Sequence, residues 1–409
     1  MINPFTPGFG HDPYVVMGRE QCLEEYDHIL NTAQPGHQDL YPLISGNRGV
    51  GKTVLLHEYE ELLKQRHFFI FSNVLGPSSY ADIVRAITGS SNKNTRKRTR
   101  KEFSPSVSVA NGDTSYTIGG FTFETEKEAE LFDIDLGEAL RKKAASPKYA
   151  GVAIILDELN MKYIDDLRRL IVTVQAAAND NNNVIMIAAG VDENIDALEN
   201  DITVSFTRRM NRKNIGSIDI DVAKDGIYQT LKDHEMDITD EALTLIAEAS
   251  DGYPFIIQRI ASDSWDAAYK RDSKHINITV EDFRKAAPTS TAKIYCSIVQ
   301  PAIRSLSAVD MEFLTAMATY DDNVVPISYI EQKLGKTKAY IGKYRQRLIK
   351  QHIIEKDTYG SVYCILPYLM LYLSNEEEAK MLCSQLNTTV MKESKSKNIM
   401  RSILSNTTR

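Results

Sequence analysis

The chain has 409 residues, of which 43% are hydrophobic and 25% charged, with 21 glycines and 13 prolines, so it supports two or three cored domains and is not a disordered or fibrous chain. The net charge of −7 argues against a uniform nucleic-acid coat but leaves local basic patches open. Four scattered cysteines (Cys22, Cys296, Cys364, Cys383) without a Cys-x-x-Cys pair predict free thiols and no zinc site; with no spanning apolar run and no signal-like start, a cytoplasmic chain without a membrane partner is expected.

Residues 1–17 are rich in Pro and Gly and read as an extended arm. Gly18-Arg19-Glu20 opens a helix over 20–31, with Leu23, Tyr26, Ile29 and Leu30 as its apolar positions. A short apolar strand, 41–44, then leads into Gly46-Asn47-Arg48-Gly49-Val50-Gly51-Lys52-Thr53, a full match to G-x-x-x-x-G-K-[ST]. A helix is predicted over 53–64. In this order of strand, glycine loop and helix, main-chain N–H groups and a helix N-terminus converge on a phosphate. Residues 46–53, with Val54 beside them, are therefore the nucleotide-contact candidates. Lys52 is placed to reach the β- and γ-phosphates, and Thr53 to hold Mg²⁺ through its hydroxyl.

Residues 67–74 read as a second strand and 80–88 as a helix. Lys93, Arg96, Lys97, Arg98, Arg100 and Lys101 form a basic cluster. The alternating runs 106–109 and 116–118 flank Asn111-Gly112-Asp113 and predict a β-hairpin inserted near 103–125. A helix is expected over 127–145. Val152-Ala153-Ile154-Ile155-Leu156 is a continuous apolar run, as in a strand buried on both faces, and it ends in Asp157-Glu158. Beside a phosphate loop, Asp157 would orient Mg²⁺ through water and Glu158 would polarise the attacking water.

A helix over 164–178, a polar turn over 179–183 and a buried strand over 184–188 follow. Phe206-Thr207-Arg208-Arg209 comes after a short acidic helix, and 215–220 reads as a last strand. The alternation predicts a parallel sheet with helices on both faces. Residues 222–287 are helical throughout, with Gly252-Tyr253-Pro254 ahead of an apolar helix over 255–269, and Pro288-Thr289-Ser290-Thr291 reads as a boundary. Helical stretches over 294–320, 327–334 and 337–351, then strands over 353–356 and 362–365, have the order of a winged helix-turn-helix. Residues 374–409 are polar, with helix in part or disorder expected. The predicted division is an α/β domain over 1–221, a helical lid over 222–290, a winged helix over 291–373 and a tail over 374–409.

Between Gln332 and Ile354 the chain carries Lys333, Lys336, Lys338, Lys343, Arg345, Arg347 and Lys350 and no acid. Ile341, Tyr344 and Leu348 are spaced to pack inward, which leaves Lys338, Arg345 and Lys343 outward; Lys336, Lys338, Lys343, Arg345 and Arg347 are the candidate contacts to double-stranded DNA. The alternatives to DNA contact are a basic helix that is only a solvated face and a winged helix that docks a protein or acts as an autoinhibitory module.

Taken in order, Gly18-Arg19-Glu20, the loop at 46–53, Leu156-Asp157-Glu158, Arg208-Arg209 and Gly252-Tyr253-Pro254 resemble an AAA+-related P-loop ATPase, and the Gly-x-Pro resembles the STAND branch. With the C-terminal winged helix, the layout is similar to the archaeal-type ATPases, relatives of helicase-loading initiators. The resemblance implies an ATP- and Mg²⁺-dependent ATPase giving ADP and phosphate. Gly18 and Arg19 would lie near the adenine, Arg208 or Arg209 would be an arginine finger or phosphate sensor, and Pro254 would set the lid helix against the nucleotide. Two arginines at a helix end are also read as solvated, and Pro254 as an ordinary first-turn proline. The strand ending Ala188-Ala189-Gly190 lacks the polar sensor usual in that family, and Gly-x-Pro replaces a lid arginine, which implies slow, switch-like turnover. Three functions fit: a nucleotide-driven switch moving the winged helix, with possible ATP-dependent self-association; a signalling scaffold whose winged helix docks a protein; and a DNA-binding regulator with ATP as effector.

Overall fold

The computed structural model describes residues 1–8, 11–76, 79–88, 106–110, 113–118, 121–123, 136–179, 183–201, 207–357 and 360–386. The basic cluster at 93–101, the Asn111-Gly112 turn and the tail beyond 386 lie outside them. The chain divides into two compact units interleaved in sequence. One comprises Met1–Gln21, Gly46–Val54 and Ile215–Arg409, the other Cys22–Ser45 and Leu55–Asn214.

The second unit is built on a five-stranded parallel sheet of β1 (Pro42–Ser45), β2 (Phe69–Val74), β6 (Val152–Leu159), β7 (Val184–Gly190) and β8 (Asn211–Asn214). Their order is β2-β6-β7-β1-β8, so β7 separates β1 from β6. The central strands are buried along almost their whole length, because helices on both faces of a parallel sheet leave no wet side. Three further strands, β3 (Ser106–Ala110), β4 (Asp113–Ile118) and β5 (Phe121–Phe123), pair antiparallel with Ser106 opposite Thr117 and Tyr116 opposite Phe123.

The last parallel strand is not the apolar 215–220 but the polar Asn211-Arg212-Lys213-Asn214. An edge strand needs one ladder and little burial, so backbone pairing to β1 decides it and hydrophobicity does not. Ile215 and Ile218 are buried outside any strand, and Asp219 caps the helix Ile220–Lys232 by accepting from Asp221 N–H.

The first unit is helical. Helices Ile220–Lys232, Asp240–Ser250, Pro254–Arg271 and Val280–Ile294 are accompanied by the short parallel pair β9 (Asp237–Ile238) and β10 (Asn277–Ile278). Residues 288–291, expected as a boundary, lie inside the last of these helices. Pro288 removes one helical hydrogen bond, while the neighbouring Ser290, Thr291 and Ala292 are buried. Asp263 holds two helices together: it accepts from Ser290 Oγ (2.9 Å) and Lys293 Nζ (2.6 Å). The arm lies on helix Pro254–Arg271, with Phe5 buried, Thr6 N–H bonded to Gln258 Oε1 (3.0 Å) and Arg259 donating to Pro7 O (3.2 Å).

After a π turn at Tyr295–Val299 come helices Ala308–Met317, Ile327–Leu334 and Lys338–Lys350. The strands β11 (Val324–Pro326), β12 (Ile354–Lys356) and β13 (Ser361–Cys364) form an antiparallel sheet in the order β11-β13-β12. The start of the polar tail is a helix, Glu376–Leu386, that buries Ala379, Leu382 and Cys383. Its apolar stripe is three residues wide among Glu and Lys, too narrow to stand out from composition.

Candidate phosphate-binding site

The glycine loop begins where β1 ends and gives way to helix Lys52–Gln65. Gly46, Gly49 and Gly51 have φ of +149°, +84° and +92°, values that side-chain-bearing residues rarely take. A Cβ on Gly46 would stand 2.3 Å from Ile215 O. Positive φ accounts for glycine at all three positions, and close approach adds to it at Gly46 and Gly49.

Every carbonyl from Gly46 to Val50 has a donor. Lys52 Nζ donates to Gly46 O (2.9 Å) and Asn47 O (2.7 Å). Tyr253 Oη donates to Arg48 O (2.8 Å), and Phe255 N–H to Gly49 O (3.1 Å). Arg19 Nη2 donates to Val50 O (3.0 Å). The two main-chain units bonded by Tyr253 and Phe255 are therefore oriented by the Gly-Tyr-Pro turn, where Tyr253 is the N-cap and Pro254 opens the helix. Gly252 has φ +65° and touches the Ile218 backbone, and its carbonyl accepts from Ile218 N–H (2.8 Å).

Arg19 is almost fully buried, and its guanidinium also donates to Gly18 O (3.0 Å) and Gly216 O (2.6 Å). Its role in this structure is to tie the arm to the loop. Gly18, at φ +63°, lets the chain pass Ile218. A cleft lined by Val16, Arg19, Val54, Ile218, Pro254 and Gln258 adjoins the loop. Its volume is about 40 Å³, well below the roughly 300 Å³ at which ligand pockets begin.

Asp157 and Glu158 lie just before the last residue of β6, where a bulge breaks the β6–β7 register between Leu156 and Leu159. Glu158 is exposed with φ +53°, and its N–H donates to Asp157 Oδ1 (2.7 Å). A glutamate in this region costs about 1–3 kcal/mol, a strain that clusters at functional sites. Thr53 is exposed and Asp157 half-buried. Among the described residues no group of three or more His, Cys, Asp or Glu gathers for a metal. The hydroxyl of Thr53 and carboxylate of Asp157 are hard oxygen donors, of the kind that suits Mg²⁺ carried largely by phosphate and water.

Arg208 and Arg209 are exposed in a short 3₁₀ turn. The arginine the sequence reading missed is Arg212 on β8. It bonds Asp192 (3.2 Å), Asp196 (2.7 Å), Glu199 (2.7 Å) and Ser45 Oγ (3.1 Å). It thereby fixes the last residue of β1, which immediately precedes the loop. The acids of the helix Asp192–Glu199 were the only available sequence signal. Asp192, the first polar side chain after β7, is buried in this cluster.

On the helix Lys338–Lys350, Ile341 and Leu348 are buried and Lys338, Lys343 and Lys350 exposed, as is Lys336 in the turn before it. Arg345 is half-buried, not outward. Arg347 Nε donates to the buried Asp310 (2.8 Å), and its guanidinium also bonds Ser307, so it braces the N-terminus of helix Ala308–Met317 and is withdrawn from the free cations. The length of arginine lets it reach back to a neighbouring cap, which helical spacing does not reveal.

A family described as a domain of unknown function (DUF8462) matches residues 297–373. No curated protein matches the chain. Among solved structures it is similar to the Walker-type ATPase PABY2304 of Pyrococcus abyssi, with TM-score 0.58 and 14% identity, over 88% of this chain and 96% of that one. It is similar also to the ORC2 protein of Aeropyrum pernix, solved as ADPNP–ADP complexes, with TM-score 0.58 and 12% identity over 94% and 98%. At these identities the likeness shows the fold alone, a five-stranded parallel α/β sheet with a helical extension. Among the described residues no helix is long and apolar enough to cross a membrane.

Proposed function

We propose that the protein binds ATP with Mg²⁺ at residues 46–54 and acts as a slow ATPase switch. What supports this above all is the loop itself: three glycines at positive φ and five consecutive carbonyls held by donors, ahead of a helix whose first N–H groups have no helical partner. Lys52 would exchange the Gly46 and Asn47 carbonyls for phosphoryl oxygens. Thr53 and Asp157 would hold Mg²⁺, which supplies charge neutralisation at the phosphates. Glu158 would orient and deprotonate the attacking water. Arg208 and Arg209, being exposed, suit a finger offered to a neighbouring copy. The narrow cleft beside Pro254 would have to open for a base, so nucleotide entry would move the arm or the lid over 222–290. The C-terminal helices and three-stranded sheet fit a winged helix, with Lys336, Lys338 and Lys343 as its phosphate contacts to DNA. Calorimetric titration with Mg-ATP tests the reading: a saturable heat is expected from the parent and none from Lys52→Ala. Identical heats from both, or none from the parent at millimolar nucleotide, would overturn it.

A further inference from the structure

We infer that Tyr253 is a positioning residue for the phosphate loop, its hydroxyl setting the direction of the Gly49 N–H and thereby the affinity for nucleotide phosphates. The inference rests on the phosphate-binding reading above. The carbonyl and the N–H of one trans peptide point to opposite sides. The Arg48 carbonyl is fixed by the Tyr253 hydroxyl at 2.8 Å, so the N–H of Gly49, in the same peptide, faces away from the lid turn. The Gly49 carbonyl, fixed by Phe255 N–H at 3.1 Å, does the same for the N–H of Val50. Two adjacent donors are thus aimed by the two lid residues that flank Pro254.

This peptide needs an external lock. Gly49 has φ +84°, and glycine populates positive and negative φ about equally, so the 48–49 peptide is free to rotate unless something holds it. A rotated peptide would present a carbonyl oxygen where an N–H stood, which repels a phosphate. The Tyr253 ring packs against Gly49: it is buried, and a Cβ on Gly49 would meet its Cε1 at 3.2 Å, so the position keeps glycine and its freedom to rotate. Lys52 cannot serve as this lock, because a phosphate would draw it away from the Gly46 and Asn47 carbonyls. Tyr253 and Phe255 act on the carbonyl side and keep their bonds when ligand enters.

The test is Tyr253→Phe in the full chain, which keeps the ring and removes only the hydroxyl. Mg-ATP and Mg-ADP are titrated by calorimetry, steady-state turnover is measured, and amide hydrogen exchange is followed by mass spectrometry. The expected result is a loss of affinity of about 3- to 10-fold for both nucleotides, the worth of one buried hydrogen bond. KM rises with kcat kept, because ground and transition states lose the same contact. Exchange in the peptide spanning Gly49 and Val50 quickens while that of helix Pro254–Arg271 is unchanged. A merely structural role for the hydroxyl would instead loosen that helix and leave KM alone, and this pattern, or parent-like affinity and exchange, overturns the inference. If Lys52→Ala abolishes binding while Tyr253→Phe binds like the parent, only the Tyr253 role falls. If the parent itself takes up no nucleotide, the phosphate-binding reading falls with it.

Discussion

Gly252→Ala tests whether the lid turn is as tightly built as its geometry indicates. An ideal Cβ at Gly252 would stand 1.9 Å from Ile218 O and 3.1 Å from its carbonyl carbon, both backbone atoms that cannot rotate aside. Carbon contacts become comfortable at about 3.5 Å, so the two segments must part by about 1.5 Å. That displacement breaks the 2.8 Å bond from Ile218 N–H to Gly252 O, at about 1 kcal/mol. Holding alanine at φ +65° costs about 1–2 kcal/mol more. A loss of about 2–3 kcal/mol lowers Tm by about 4–12 °C for a unit of this size. Differential scanning calorimetry reads it directly. Gly216→Ala is the internal control, since nothing lies within 4 Å of its added Cβ, and it is expected to stay within about 0.5 kcal/mol of the parent. A Gly252→Ala protein melting within 2 °C of the parent (roughly 1 kcal/mol or less) would refute the account of the turn.

Burial raises the Asp251 pKa above the ordinary aspartate value, so the folded chain holds that proton more tightly than the unfolded one and loses stability as pH rises through the folded pKa. Asp251→Asn, which tolerates the local φ of +51°, should melt higher than the parent at pH 7. The gap should close as pH falls below the ordinary aspartate range, and an unchanged gap would contradict the assignment. Arg212→Met strands the buried Asp192 and should cost about 2–3 kcal/mol in urea unfolding, less than a fully buried pair because Arg212 is partly exposed. Glu158→Gln should keep Mg-ATP binding and lower turnover at least about 100-fold, the typical worth of a positioned base; unchanged turnover removes Glu158 from the chemistry. Lys338→Glu with Lys343→Glu should weaken duplex binding in gel-shift titrations and flatten its salt dependence by about two phosphate contacts; unaltered binding would assign this face elsewhere.

The loop at 46–53, the strand ending in Asp157-Glu158 and the helices around them were legible because each is local. Glycine spacing reports backbone φ, a continuous apolar run reports a strand buried on both faces, and helical periodicity reports one packed stripe. Strand order was not legible: that β7 separates β1 from β6 depends on pairings between residues far apart in sequence. Neither was the edge strand Asn211–Asn214, whose polar side chains carry no burial signal. The same limit applies to long polar side chains. Arg19, Arg212 and Arg347 each spend their charge on partners far away in sequence, and Tyr253 reaches the phosphate loop 205 positions upstream. A sequence states which donors exist and what the backbone beneath them does. Which acceptor each donor meets is a matter of distance in space, and only the folded chain brings those partners within reach.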